Sequence, residues 1–230
     1  QETRPWKESA YRGARMMVQS GTTAAADIVT DPEAVGALAS QGMHGIAYWE
    51  VMGWHNGDWK SEGIPELIDN LGHMHQEGLP SIGISPHAPY TLESGPFVDL
   101  PDIARQLDMR LHIHLAETPM EAGERDTTLT TYSAADWRDG QWASYKQLRA
   151  AGKGASAIQF VDQLGSLGPD VHIAHGVWAD AEDRRILRQR GVGVALCPSS
   201  NRITVTGRDA PIREYLEEGN LLAVGTDSLS

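Results

Sequence analysis

The chain has a single cysteine, Cys197, in 230 residues. An intrachain disulfide is therefore excluded, and the composition fits a reducing compartment. No stretch approaches the roughly 20 apolar residues of a spanning helix, so no membrane partner is expected. The first residues, QETRPWKESAYRG, contain neither an initiator Met nor an apolar run that could act as a signal peptide. A cytoplasmic location is the expectation. Basic residues are scarce as well: 19 Lys and Arg stand against 31 Asp and Glu, a formal net charge of −12. An acidic chain with no Lys/Arg cluster repels phosphate backbones, which argues against nucleic acid as a partner. A small neutral or cationic substrate stays open, and so does a homo-oligomer. Residues 225–230 carry no polar tail, and both ends of the chain read as cut.

What the chain does have is a regular alternation of short apolar runs and amphipathic stretches. Hydrophobic residues make up 40% of it, enough for one large domain with a sizeable core. Strands are expected at 22–29, 44–51, 79–87, 110–116, 171–177, 192–198 and 221–227. Helices are expected between them. The first carries Tyr11, Ala14, Met17 and Val18 on one face and ends at Gly21. The second starts at Asp31-Pro32-Glu33, with Asp31 as N-cap and Pro32 in the first helical position. Helix 65–77 has Leu67, Ile68, Leu71 and Met74 on one face and Gly78 as its cap. Further helices are expected at 97–107, 156–164, 180–190 and 210–218, the last two closed by Gly191 and Gly219. Segment 118–154, rich in Thr, Asp, Gly and Trp, reads as irregular.

Strict βα alternation means a parallel sheet with right-handed crossovers. A closed TIM-type (β/α)8 barrel takes eight strands, and seven are expected here. The fold class is therefore α/β, a TIM-type barrel lacking strand 1, with residues 1–230 supplying strands 2 to 8. An open doubly wound sheet is the other topology that alternation allows.

Polar residues collect at the C-terminal ends of these strands, where parallel α/β folds carry their sites. His87 ends one (GISPHAPYT), His114 and Glu117 another (HIHLAET), His175 a third (HIAHGV) and Asp227 the last (AVGTD). A single His at a strand end is most often structural; three His and an Asp at successive ends are harder to dismiss. Imidazole and carboxylate suit Zn and Fe(II). A catalytic metal keeps one position open for water and lowers its pKa to about 7.

HLAET, SPHAPYT, HG before an acidic helix start, LCPSSN and GTDS, in that order, resemble the amidohydrolase superfamily, and within it the deaminase and chlorohydrolase branch. The resemblance runs from about residue 22 to the C-terminus. It implies one divalent transition metal, Zn before Fe, held by His114, His175 and Asp227. Asp227 would also take the proton of the attacking water. Glu117 would pass a proton to a ring nitrogen of a small heterocyclic substrate, and His87 would contact that substrate. The implied reaction is hydrolysis of a C–N bond other than a peptide bond, the deamination of an aminated purine-like ring or nucleoside.

The sequence departs from the family at two points. It has no strand with the His-x-His that supplies the first metal ligands, and no β-sandwich built from the termini. The expectation is a piece of a longer protein, one that would bind metal weakly and fold poorly alone. There is also no Lys at SPHAPYT, where binuclear relatives carry one, so a mononuclear site is expected.

Other polar residues carry plainer readings. His112 shares the His114 face deeper in the strand and reads as backing a ligand or packing the core. His172 reads as structural. His73 and His75 lie on a helix about 200° apart and cannot share a metal. Glu50, at a strand end, divides evenly between a substrate contact and a solvated loop carboxylate. Cys197 reads as a packed thiol with no evident base. Trp49, Trp54, Trp59, Trp137 and Trp142 fall near βα loops, where they pack or wall a pocket. Two rival functions stay open: a ring dehalogenase or chlorohydrolase, and a metal-free barrel acting as a binding module.

Overall fold

The computed structural model describes residues 6–74, 81–122, 156–204 and 206–227. Seven parallel strands form one sheet: β1 (Ala24–Val29), β2 (His44–Val51), β3 (Ser81–Pro86), β4 (Leu111–Leu115), β5 (Val171–His175), β6 (Gly193–Leu196) and β7 (Leu221–Val224). Each pairs with the next in chain order. A doubly wound sheet reverses its order at a switch point. This one never does, and the strands curl into a half-barrel.

The helices are α1 (Trp6–Gln19), α2 (Ala37–Ser40), α3 (Asn56–Asp58), α4 (Ile64–Met74), α5 (Ser94–Gln106), α6 (Ala157–Gln163), α7 (Ala181–Arg190), α8 (Pro198–Ile203) and α9 (Ile212–Glu217). None of the described helices is long and apolar enough to cross a membrane. The caps follow the chemistry of the sequence. Asp31 accepts from the Glu33 N–H at the 3-10 turn Pro32–Ala34. Asp180 accepts from the N–H groups of Glu182 and Asp183 at the start of α7. Gly21, Gly191 and Gly219 all take positive φ before a strand, and Gly78 lies outside the described residues.

The main core lies between sheet and helices: Leu111, Ile113 and Leu115 of β4, Val171 and Ile173 of β5, and Leu67, Phe97, Leu100, Val161 and Leu187 from the helices are buried together. Two expected core positions are exposed. Val18 and Ile68 are 39% and 48% exposed. On α4 the stripe is Leu67, Leu71 and Met74, spaced i, i+4, i+7; Ile68 sits about 100° round from Leu67 and faces out. On α1 Ala14 alone is buried, against Ala37, Leu38 and Met43. The sequence reading also missed α8, although Pro198 occupies a first helical position there.

Several expected strands overran at their C-terminal ends. Ala116 and His175 have φ of 53° and 75°, so the chain kinks out of the ladder at the ends of β4 and β5; Asp227, three residues past the end of β7, has φ 56°. Residues with a Cβ seldom adopt this conformation.

Candidate active site

Strand pleating sets which residues face the barrel axis. His112 and His114 lie two apart on β4 and share a face. Tyr48 of β2 faces the same interior, its ring 5.4 Å from that of His112 in an edge contact. Gly83 of β3 makes room for it, since a Cβ there would meet the Tyr48 ring at 2.4 Å. His172 pairs in register with His112, with ring centroids 6.4 Å apart, and so faces inward low in the barrel. By parity His175 should face the opposite side with Leu115, its register partner. The left-handed kink at His175 turns it back, and its ring lies 5.5 Å from that of His114.

Three histidines at the strand ends share one hydrogen-bond pattern. His114 Nδ1 is 3.0 Å from the His87 carbonyl, and the His114 N–H also donates to that carbonyl at 2.8 Å. His175 Nδ1 is 3.0 Å from Asn201 Oδ1. His87 Nδ1 is 2.8 Å from Thr91 Oγ1, whose own proton goes to the Ala88 carbonyl. An acceptor facing Nδ1 requires the proton on Nδ1, which leaves Nε2 of each ring unprotonated in the neutral form. Burial holds His114 below the usual imidazole range, with His175 adding to the effect. Both favour the neutral, ligating form.

Carboxylates close the cluster. Glu117 Oε1 is 3.7 Å from His175 Nε2, and Tyr90 donates its hydroxyl to Glu117 Oε2 at 2.8 Å. Glu50 Oε1 is 3.9 Å from His87 Nε2. Burial, with the Asp227 charge behind it, pushes Glu50 up to about 7. Asp227 accepts from Ser200 Oγ at 2.5 Å, and its charge acts on Glu50, His112 and His114. The structure thus brings His87, His114, Glu117, His175, Glu50 and Asp227 to one end of the sheet. Among the described residues, the group whose ligand atoms lie within 4.8 Å of one another is Glu50, His87 and His114. It shares His114 with the expected set and has Glu50 and His87 in place of His175 and Asp227. Imidazole nitrogens and carboxylates in such a cluster fit a divalent transition metal.

The plainer readings find their places too. His112 is buried, its Nδ1 has no hydrogen-bond partner among the described residues, and burial lowers it to about 3. Burial pushes Cys197 up to about 11, so its thiol stays protonated. Trp59 is fully buried and hydrogen-bonds Asp99, while Trp49 and Trp54 pack partly buried against the core. Trp137, Trp142, His75 and residues 123–155 of the irregular segment lie outside the described residues. Sequence reasoning missed Tyr90, Asn201 and Ser200 as partners of the site. Tyr90 stands in SPHAPYT and the other two in LCPSSN, so both motifs held the signal.

A sheet of sequential parallel strands with histidines and carboxylates at its C-terminal end is part of a TIM-type α/β barrel with a candidate metal site. A sequence profile described as "Amidohydrolase family" matches residues 4–230, and the chain belongs to that family. It is 31% identical over 236 aligned positions to 5-methylthioadenosine/S-adenosylhomocysteine deaminase of Moorella thermoacetica, covering 100% of this chain and 49% of that protein. It is 30% identical over 220 positions to 5'-deoxyadenosine deaminase of Methanopyrus kandleri, covering 95% and 45%. Among solved structures, an adenosine deaminase from Xanthomonas campestris with bound Zn superposes with a TM-score of 0.71 at 23% identity, covering 96% of this chain and 46% of that one. This last likeness is one of fold. The chain spans about half the length of the curated relatives it matches.

Proposed function

We propose that the protein containing this chain hydrolyses a C–N bond on an aminated purine-like ring or nucleoside and releases ammonia. The observation that carries the proposal is the pairing of His114 and His175. Each commits Nδ1–H to an oxygen and keeps Nε2 free, and Glu117 lies beside the second. The relatives named as deaminases of adenosine-like compounds point to the same substrate class.

In this reading His114, His175 and Asp227 hold one divalent metal, Zn before Fe, within residues 1–230 acting as strands 2 to 8 of the barrel. The metal supplies Lewis acidity that makes water nucleophilic at neutral pH. Asp227 takes the proton that water gives up. Glu117, oriented by Tyr90, carries a proton to the ring nitrogen. A C–O bond forms, the C–N bond breaks, and ammonia leaves with the transferred protons. His87 and Glu50 hold the heterocycle. With its carboxyl raised to about 7, Glu50 can donate a hydrogen bond to a ring or sugar oxygen near neutral pH. A cytoplasmic setting is part of the same proposal, and the free, buried Cys197 is compatible with it.

The test is an ammonia-release screen of aminated purines, pyrimidines and nucleosides with the intact protein, alongside metal analysis. Release from a 5'-substituted adenosine with about one metal per chain is expected. A protein with no bound transition metal, silent on every compound, would leave the binding-module reading in its place.

A further inference from the structure

Glu121 lies one short turn beyond the site, in the 3-10 segment Pro119–Glu121. Its side chain is fully buried, yet no cation pairs with it among the described residues. Four donors converge on it instead. Oε1 accepts from the Ala116 N–H at 3.0 Å; Oε2 accepts from the N–H groups of Glu117 and Thr118, both at 3.0 Å, and from Thr118 Oγ1 at 3.3 Å. A capping box accounts for the contact from the Thr118 N–H. It does not account for those to Ala116 and Glu117, which lie before the turn.

Those two residues need outside support. Ala116 is held at φ 53°, a strained conformation for a residue with a Cβ, and such residues persist only where surroundings over-determine them. The kink swings the chain out of β4 so that Glu117 reaches His175. Three successive N–H groups aimed at one carboxylate fix this turn, and the Ala116 carbonyl is tied from the other side by the Trp178 N–H at 2.8 Å. Glu117 is therefore pinned at both ends: its backbone by Glu121 and its carboxylate by Tyr90.

We propose that Glu121 is a positioning residue, a buried carboxylate clamp that sets the direction of Glu117 toward the substrate by holding the left-handed turn at Ala116. The role rests on the deaminase reading, since it acts through the group that reading makes the proton carrier.

The experiment uses the intact, metal-loaded protein. Glu121→Gln keeps the shape but turns an amide N–H toward donors that need an acceptor. Its kcat is expected to fall ~10-fold or more, since small misplacements of a reacting group are costly. KM should stay within ~2-fold and metal content should be unchanged. The double variant Glu117→Gln/Glu121→Gln is expected to be no slower than Glu117→Gln alone, because a clamp has nothing left to position. A kcat like wild type in Glu121→Gln, or losses that multiply in the double variant, overturns the proposal. If Glu121→Gln does not fold, Thr118→Val removes one of the four donors and carries the same test on kcat. A wild-type protein that deaminates nothing sinks the deaminase reading instead. The clamp is then read from amide exchange at Ala116, Glu117 and Thr118, which should be slow in wild type and fast in the variant; equal exchange overturns it.

Discussion

Asn201 grips His175: its Oδ1 accepts from His175 Nδ1 at 3.0 Å, across 26 residues of sequence. The Asn is buried in the first turn of α8, and the His stands on the kink that ends β5. The contact fixes the tautomer and aims Nε2 at Glu117. Partners of this kind are worth ~10- to 100-fold in metal affinity or activity. Asn201→Ala should therefore slow ammonia release by about that factor. Asn201→Asp keeps an acceptor at the same place and should recover most of the loss. Equal rates for the two variants would show that the hydrogen bond does not matter.

The allocation of ligands is open to a direct contest. The proposed metal set is His114, His175 and Asp227, whereas the tightest group of ligand atoms among the described residues is Glu50, His87 and His114. His114→Ala should strip the metal under either arrangement. Asp227→Asn should lower metal content and abolish turnover. Glu50→Gln should retain metal and chiefly raise KM, because Glu50 faces substrate in the proposed reading. Elemental analysis of the purified variants decides the matter. Metal lost from Glu50→Gln and kept by Asp227→Asn would hand the site to the tight group.

Most of the fold was legible because its signals are local. Apolar runs between a helix cap and a loop gave every strand, and Asp180 and Gly191 bracketed α7 as written. The strand-end residues were legible for the same reason: parallel strands all present their C-terminal ends to one side. What was hidden depends on geometry with no period. His172 and His175 differ by three positions and should face apart, but the kink at His175 reverses the second. Nothing in HIAHGV announces that reversal except the Gly after the His. Ile68 shows the opposite failure: an apolar residue counted into a face it misses by one position. Glu121 fell in a segment read as irregular, and its reach to Ala116 and Glu117 needed coordinates.

Stability should fall as pH rises through the acid range, and Asp183 offers a place to see it away from the site. It is buried at the start of α7, where Ser156 donates to it at 2.5 Å. Burial, opposed by its hydrogen bonds, raises its carboxyl from 3.8 to about 6. Below 3.8 both folded and unfolded chains hold the proton. Between 3.8 and about 6 the unfolded chain releases it first, so the folded state loses stability as pH rises, at up to ~1.4 kcal/mol per pH unit. Asp183→Asn removes this titration and should flatten the slope of Tm against pH across that window. A slope as steep in the variant as in wild type would refute the assignment.

Gly176 follows the site histidine directly and has no room for a side chain. Its φ is 57°, and a Cβ built on it would meet Tyr215 Oη at 2.4 Å. The same buried hydroxyl donates to the Gly176 carbonyl at 2.9 Å. Gly176→Ala thus adds backbone strain, a clash and a disturbed hydrogen bond, and should cost about 2 kcal/mol in denaturant titration. Tyr215→Phe, which removes only the hydroxyl, should cost about 1 kcal/mol. The two changes share one atom, so they should not add: with the hydroxyl gone, the new methyl has less to strike. The double variant is expected to be more stable than the sum of the single losses predicts. Additive losses would mean that the methyl and the hydroxyl never meet, and that the turn beyond His175 is held by something other than Tyr215.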